Sequence, residues 1–252
     1  MKIEANTTTQ DQEMLDPKTT PQARVDAASI RLLSDPAVLP KLIKKYVAPF
    51  CDCTESEIIN NCLIGKPYLT YHGELGEELG YYGVECILKA PDSDELVDVR
   101  IFIDSHAVYT FDYSFSRGMQ GSDKIDLATG EPVYIGDLDH AQYSLWICID
   151  PMEVEENTVA RAMALHYCPS DDQESVERIG NLNRMILINL GSPEHGHYAG
   201  ALKMLDLMLR DPMNLEEKCA LLKEEYHLEL TDDQKKDLEF IRAFREDYAR
   251  KH

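Results

Sequence analysis

The sequence predicts an α/β protein with a mixed central sheet flanked by helices. Three observations carry this. Residues 143–149 and 185–190 are apolar almost without interruption, as in strands buried on both faces. Residues 82–106 read as a β-hairpin. The last fifth of the chain repeats its apolar residues at helical spacing.

Residues 1–22 are polar, Thr- and Gln-rich and aperiodic, and a disordered lead is expected there. A first helix is expected after Ser34, with Asp35 as cap and Pro36 at its first position. Val38, Leu39, Leu42, Ile43 and Tyr46 then recur on one face. Pro40 falls early enough to bend this helix without forbidding it. Thr54 and Glu57 form a capping box for a short helix carrying Ile58, Ile59, Cys62 and Leu63, with Gly65 as its stop. Residues 71–80 are glycine-rich, acidic and expected as loop.

In the hairpin, Val84, Cys86 and Leu88 alternate with Glu85 and Ile87. Residues 90–94 make the turn, and 97–103 form the second strand. That strand ends on Asp104-Ser105-His106. An aromatic, serine-rich stretch with Arg117 follows, then a polar loop to residue 139 broken by Gly130 and Pro132. Residues 160–168 alternate as a further strand. Towards the end, Leu202, Leu205, Met208 and Leu209 form one stripe. Asn214 and Glu217 cap a helix with Leu215, Cys219, Leu222 and Tyr226, and Thr231 with Gln234 leads Leu238, Ile241 and Phe244. The expected division is a lead (1–22), a core domain (23–198) and a C-terminal helical appendage (199–252).

Charge is the unusual feature of the composition. The 46 acidic against 25 basic residues give a net charge of −21. Such a surface repels phosphate backbones, which points away from tight DNA binding and suits plain solubility, a basic protein partner or imitation of a polyanion alike. No apolar run approaches the roughly 20 residues of a membrane helix. Seven cysteines without a framework fit a reducing, cytoplasmic location. No Walker, Rossmann or nucleophile-elbow pattern appears.

Several stretches together resemble the PD-(D/E)XK nuclease family transposases, also called recombination-promoting nuclease-like proteins. They are RLLSDPAVLPKLIKKYV, CTESEIINNCLIGKPYL, YSLWICIDP, ILINLG and LEEKCALLKEEYHLELT, in that order over roughly residues 24–240. The resemblance implies a restriction-endonuclease-like core and metal-dependent DNA cleavage. It implies a site built from an Asp on the first core strand and Glu-x-Gln/Lys on the next. Here the sequence departs. The family's Tyr-Asp corresponds to Tyr82-Gly83, so the first carboxylate is missing, and Glu85 stands two residues on as a substitute. The family's Glu corresponds to Asp104, its Gln or Lys to His106, and its helix-borne Arg to Arg117, in a stretch with two glycines and no helical stripe.

A cleaving site needs two carboxylates around Mg²⁺ and a third group to orient the attacking water. Glu85 and Asp104 would be the metal ligands and His106 the third group, a set better suited to Mn²⁺ or Zn²⁺ than to Mg²⁺. Three substitutions and a disrupted helix together favour the plainer reading: Glu85 is a solvated strand residue, Asp104-Ser105-His106 simply ends a strand, and the chain has a decayed centre, no cofactor and a role in binding a protein as an inhibitor or decoy would. Mg²⁺ or Mn²⁺ and DNA enter only if the centre works. Glu194-His195-Gly196-His197 reads as a polar loop more readily than as a metal ligand pair. Cys51-Asp52-Cys53 lacks a second pair for zinc. Trp146 reads as core, and Lys41, Lys44 and Lys45 as a solvated helix edge.

Overall fold

A computed structural model describes residues 20–72, 81–104, 124–126, 141–163 and 183–251. Helix α1, Pro21–Leu33, opens on Thr20, whose hydroxyl accepts from the Ala23 N–H at 3.2 Å, with Pro21 in the first turn. The expected lead is therefore shorter than 22 residues, because positions 21 and 22 are helical; residues 1–19 lie outside the described residues. Val25, Ala27, Ala28, Ser29, Ile30, Leu32 and Leu33 are all buried. Alanines and a serine fill part of that surface, so the stripe is faint in the sequence.

Helix α2, Leu39–Tyr46, begins later than Asp35-Pro36 suggests. Asp35 instead closes the preceding turn. Its carboxylate accepts from the Ala37 N–H at 2.7 Å and its carbonyl from Val38 and Leu39, both at 2.9 Å. Pro40 sits in the first turn, where its missing N–H costs nothing. The Thr54–Glu57 capping box forms as expected and starts helix α3, Glu55–Glu57, which runs into a π-helix, Ile58–Cys62. Gly65 does not stop a helix. It lies inside strand β1, Leu63–His72, at φ 75°, where the pairing register breaks between Ile64 and Tyr68. A left-handed residue at a β-bulge is a position glycine fills without strain.

The hairpin is β2, Tyr81–Lys89, and β3, Leu96–Asp104, closed by the Ala90 N–H donating to the Glu95 carbonyl at 2.9 Å. The remaining strands are β4, Lys124–Asp126, β5, Ala141–Cys148, β6, Thr158–Met163, and β7, Asn183–Asn189. The described strands form one sheet in the order β4-β1-β2-β3-β5-β7-β6. β3, β5 and β7 run parallel to one another; the other pairs are antiparallel. The expectation of a mixed sheet in an α/β protein therefore holds, and both continuously apolar runs are central strands.

One face of this sheet, with Val84, Cys86, Leu88, Val99, Ile101, Leu145, Ile147 and Ile188, packs into a large apolar cluster with the helices. Three C-terminal helices belong to that same cluster: α4, Gly200–Leu209, α5, Leu215–Tyr226, and α6, Asp232–Lys251. Leu202, Leu205, Met208, Leu222, Leu238 and Ile241 are buried in it. Helix α6 also lies beside α1. Arg31 forms a two-pronged bond to Asp237 at 2.6 and 3.0 Å, Arg24 lies over the Phe240 ring, and Gln234 bonds Asp35. The helices of residues 200–251 thus pack into that cluster through their apolar stripe. Among the described residues, no helix is long and apolar enough to cross a membrane.

Candidate functional site

The hairpin register fixes what stands beside each candidate residue. Lys89 pairs with Leu96; counting back along both strands puts Glu85 opposite Arg100, and Gly83 opposite Phe102. Asp104 lies four positions beyond Arg100, opposite Cys148 of β5. At about 3.3 Å per residue, that is on the order of 13 Å along the strand from the Glu85 pair. Two bonds of about 2.0–2.6 Å to one ion bring carboxylate oxygens within roughly 4–5 Å of each other. The Asp104 side chain, His106 and Arg117 lie outside the described residues.

Glu85 belongs to a different assembly. It is only 1 % exposed, so it is not the solvated strand residue that the plainer reading expects. Its carboxylate accepts from the Thr70 hydroxyl at 3.2 Å and stands 3.7 Å from Nε of Arg100. Arg100 in turn donates from Nε at 2.9 Å and Nη2 at 2.6 Å to one oxygen, Oδ2, of Asp98, two residues away on the same face. Asp98 is fully buried, and its Oδ1 has no hydrogen-bond partner. Burial works against the Arg100 charge, but the Asp98 and Glu85 carboxylates outweigh it and raise the guanidinium's pKa. Arg100 holds together two acids that would otherwise repel each other in a dry interior.

Position 83, where the resemblance implies the first acid, is closed. A Cβ added at Gly83 would meet the Phe102 ring at 2.8 and 2.9 Å and the Ile101 carbonyl at 3.3 Å. Phe102 is itself fixed. It stacks on Trp146, with centroids 4.5 Å apart and planes 29° apart, and both belong to a small apolar cluster with Met185. The described residues do not fit a divalent ion here: one expected ligand is a glycine under a phenyl ring, and the substitute acid is held by Arg100 and Thr70. No group of three or more His, Cys, Asp or Glu among the described residues is arranged to hold a metal.

A second polar cluster, unread in the sequence, lies where β5 and β7 end. Asn157 adopts φ 54° and donates from its amide to the carbonyls of Ser192 at 2.7 Å and His195 at 2.5 Å. Glu156 accepts from the Ser192 N–H at 2.9 Å and pairs with Nδ1 of His195 at 2.7 Å. Burial opposes the Glu156 charge, but the Ser192 N–H, His195 and Arg210 prevail and hold its pKa low. The bond to Glu156 raises that of His195. Arg210, the cap just after α4, reaches Glu156 at 3.4 Å and Asp206 at 3.3 Å, and Arg245 of α6 donates to Asp150 at 2.6 Å. Burial raises the pKa of Asp206, against the Tyr198 hydroxyl and Arg210.

These contacts clamp two loops to two helices. Gly191 marks how closely: a Cβ there would meet that of Glu156 at 2.4 Å. His195, the motif residue of the 194–197 loop, is half-exposed and paired to carboxylates, so it acts as a latch between loops. Trp146 is buried, as the sequence suggests, whereas Lys41 is not simply a solvated edge residue: its side chain is only 18 % exposed and pairs with Glu55 at 2.6 Å.

Comparison of the chain with family models, with curated proteins and with solved structures finds no match.

Proposed function

We propose that this chain carries a restriction-endonuclease-like core whose cutting centre has decayed, and that it works as an acidic protein-binding module, an inhibitor or decoy of a protein that handles nucleic acid. The observation that carries the reading is the closed position 83, with the Phe102 ring where a metal-holding Asp would stand. The engagement of Glu85 with Arg100 and Thr70 supports it, since that acid has a structural task. The antiparallel β2–β3 pair set in a mixed sheet against helices is consistent with the core that the resemblance implies. The charge of −21 supports the choice of partner, because a basic surface that binds phosphates also attracts a dense array of carboxylates.

Incubation of the purified chain with supercoiled plasmid and Mg²⁺ or Mn²⁺, beside Asp104→Ala, tests the first half. No nicking is expected; nicking that Asp104→Ala abolishes would establish a working metal-dependent endonuclease instead. Capture from a host lysate at graded salt tests the second. Basic nucleic-acid-binding proteins should be retained at physiological salt and released near 1 M, where the Debye length is about 3 Å. Retention of none contradicts the binding role.

A further inference from the structure

At the end of the sheet away from Asp104, the parallel strands β3, β5 and β7 begin beside one another. Val97 pairs there with Ala141, and Tyr143 with Arg184. A cavity of about 430 Å³ opens at this end, within the roughly 300–1,000 Å³ of ligand sites. Its apolar wall is the buried Val97, Ala141, Pro91 of the hairpin turn and Pro49 of a 3-10 turn, Ala48–Phe50. Proline rings have little freedom to lose when a ligand packs on them.

Opposite charges line the same cavity without meeting each other. Asp92 and Glu95 come from the hairpin turn, Arg184 from the start of β7. Among the described residues none of the three forms an ion pair, whereas their neighbour Asp94 is taken by Lys89 at 2.5 Å. The acidic turn is closed: the Ala90 N–H donates to the Glu95 carbonyl at 2.9 Å, and the Glu95 N–H to the Ser93 hydroxyl oxygen at 3.2 Å. Arg184 is fixed as well. Its guanidinium lies 5.1 Å over the Tyr143 ring, and its Nη1 donates to the Tyr143 hydroxyl. That bond uses Nη1. The Nε–Nη2 edge, a fork that takes a carboxylate through two parallel bonds, has no partner among the described residues.

We propose that this cavity binds a dipeptide-sized zwitterion, its carboxylate on the Nε–Nη2 edge of Arg184 and its ammonium on Asp92 and Glu95. Size sets the length. A cavity of about 430 Å³ is roughly 7–8 Å across, the reach of two extended residues at about 3.3–3.6 Å each. Charges that stand apart in the wall match a ligand whose own two charges are a peptide unit apart. Its apolar side chains then lie on the prolines and Val97. The net charge of −21 disfavours an anionic ligand, and a zwitterion carries no net charge.

The test is calorimetric titration of the full chain with alanyl-leucine at millimolar concentration and physiological salt, with backbone amide NMR shifts to place the site. Saturable one-site binding is expected, with shifts at Val97, Ala141 and Arg184. Acetylating the amine or amidating the carboxylate should each weaken binding about tenfold. Free leucine should bind more weakly than the dipeptide. Arg184→Gln should erase the difference between the free acid and its amide. Asp92→Asn combined with Glu95→Gln should erase that between the amine and its acetylated form. If Arg184→Gln does not fold, the blocked dipeptides on the wild type decide. No saturable binding, equal affinity for the blocked dipeptides, or shifts confined to other strands overturns the site. Free leucine binding as tightly as the dipeptide overturns the two-residue length.

Discussion

The two buried polar clusters are built on opposite principles. In the hairpin cluster, Glu85 and Asp98 share one guanidinium, and every member comes from three adjacent strands. At the strand ends, Asp150, Glu156 and Asp206 meet Arg210, Arg245 and His195, from two loops and two helices. The first is sealed; Glu85, Asp98 and Arg100 are all buried. The second leaves the side chains of Asp150 and His195 open to solvent, at 33 % and 40 % exposure. Solvent therefore cushions the loss of a charge in the second cluster and not in the first.

The largest effect should come from the sealed cluster. Arg100→Met removes the guanidinium from between two buried carboxylates, and a loss of about 3–5 kcal/mol is expected in urea unfolding at neutral pH. Arg245→Met should cost about 1 kcal/mol or less, since Asp150 is a third exposed and two Arg245 nitrogens bond nothing. Equal losses would break the contrast.

Next in size is the contact that closes position 83. Gly83→Ala should cost about 1–3 kcal/mol through overpacking against Phe102. In the Phe102→Ala background the same change should cost far less, a coupling that a double-mutant cycle reads directly.

Lys218 of α5, beside Asp206 and Asp211, sharpens the comparison with a change of opposite sign. It is fully buried, its Nζ has no hydrogen-bond partner, and burial lowers its pKa from 10.5 to about 8. The folded state thus binds this proton more weakly than the unfolded state. Its penalty is full below pH 8, shrinks as pH rises towards 10.5, and is gone above that. Lys218→Met should stabilise by about 2–3 kcal/mol at pH 7 and by much less near pH 10.5. A gain independent of pH would refute the buried charge.

The smallest effect is at the latch. His195 has its pKa raised above 6.5 by Glu156, so its stabilisation is present below 6.5 and fades as pH climbs through the raised value. Glu156 is lowered from 4.5, so its share is present above 4.5 and fades as pH falls through its folded value. An NMR titration should place the His195 midpoint above 6.5, and Glu156→Gln should return it downwards.

The legibility of these features follows from sequence distance. Capping boxes, the hairpin and the two central strands rest on neighbours within a few residues, and all are visible in the chain. β1 was hidden by Gly65 and Pro67, which read as breakers until a bulge accommodates them. The Glu85–Arg100 pair was within reach, because the turn at 90–95 sets the register that joins them. The strand-end cluster was not: Glu156 meets His195 39 residues on, and Asp150 meets Arg245 95 residues on. No local pattern records such pairings.

Calorimetric titration of the intact chain with Mn²⁺, run beside plasmid nicking, tests the decayed centre most directly. Neither saturable Mn²⁺ binding nor nicking is expected, in the wild type or in Asp104→Ala. Stoichiometric Mn²⁺ binding with nicking, both lost in Asp104→Ala, would contradict it.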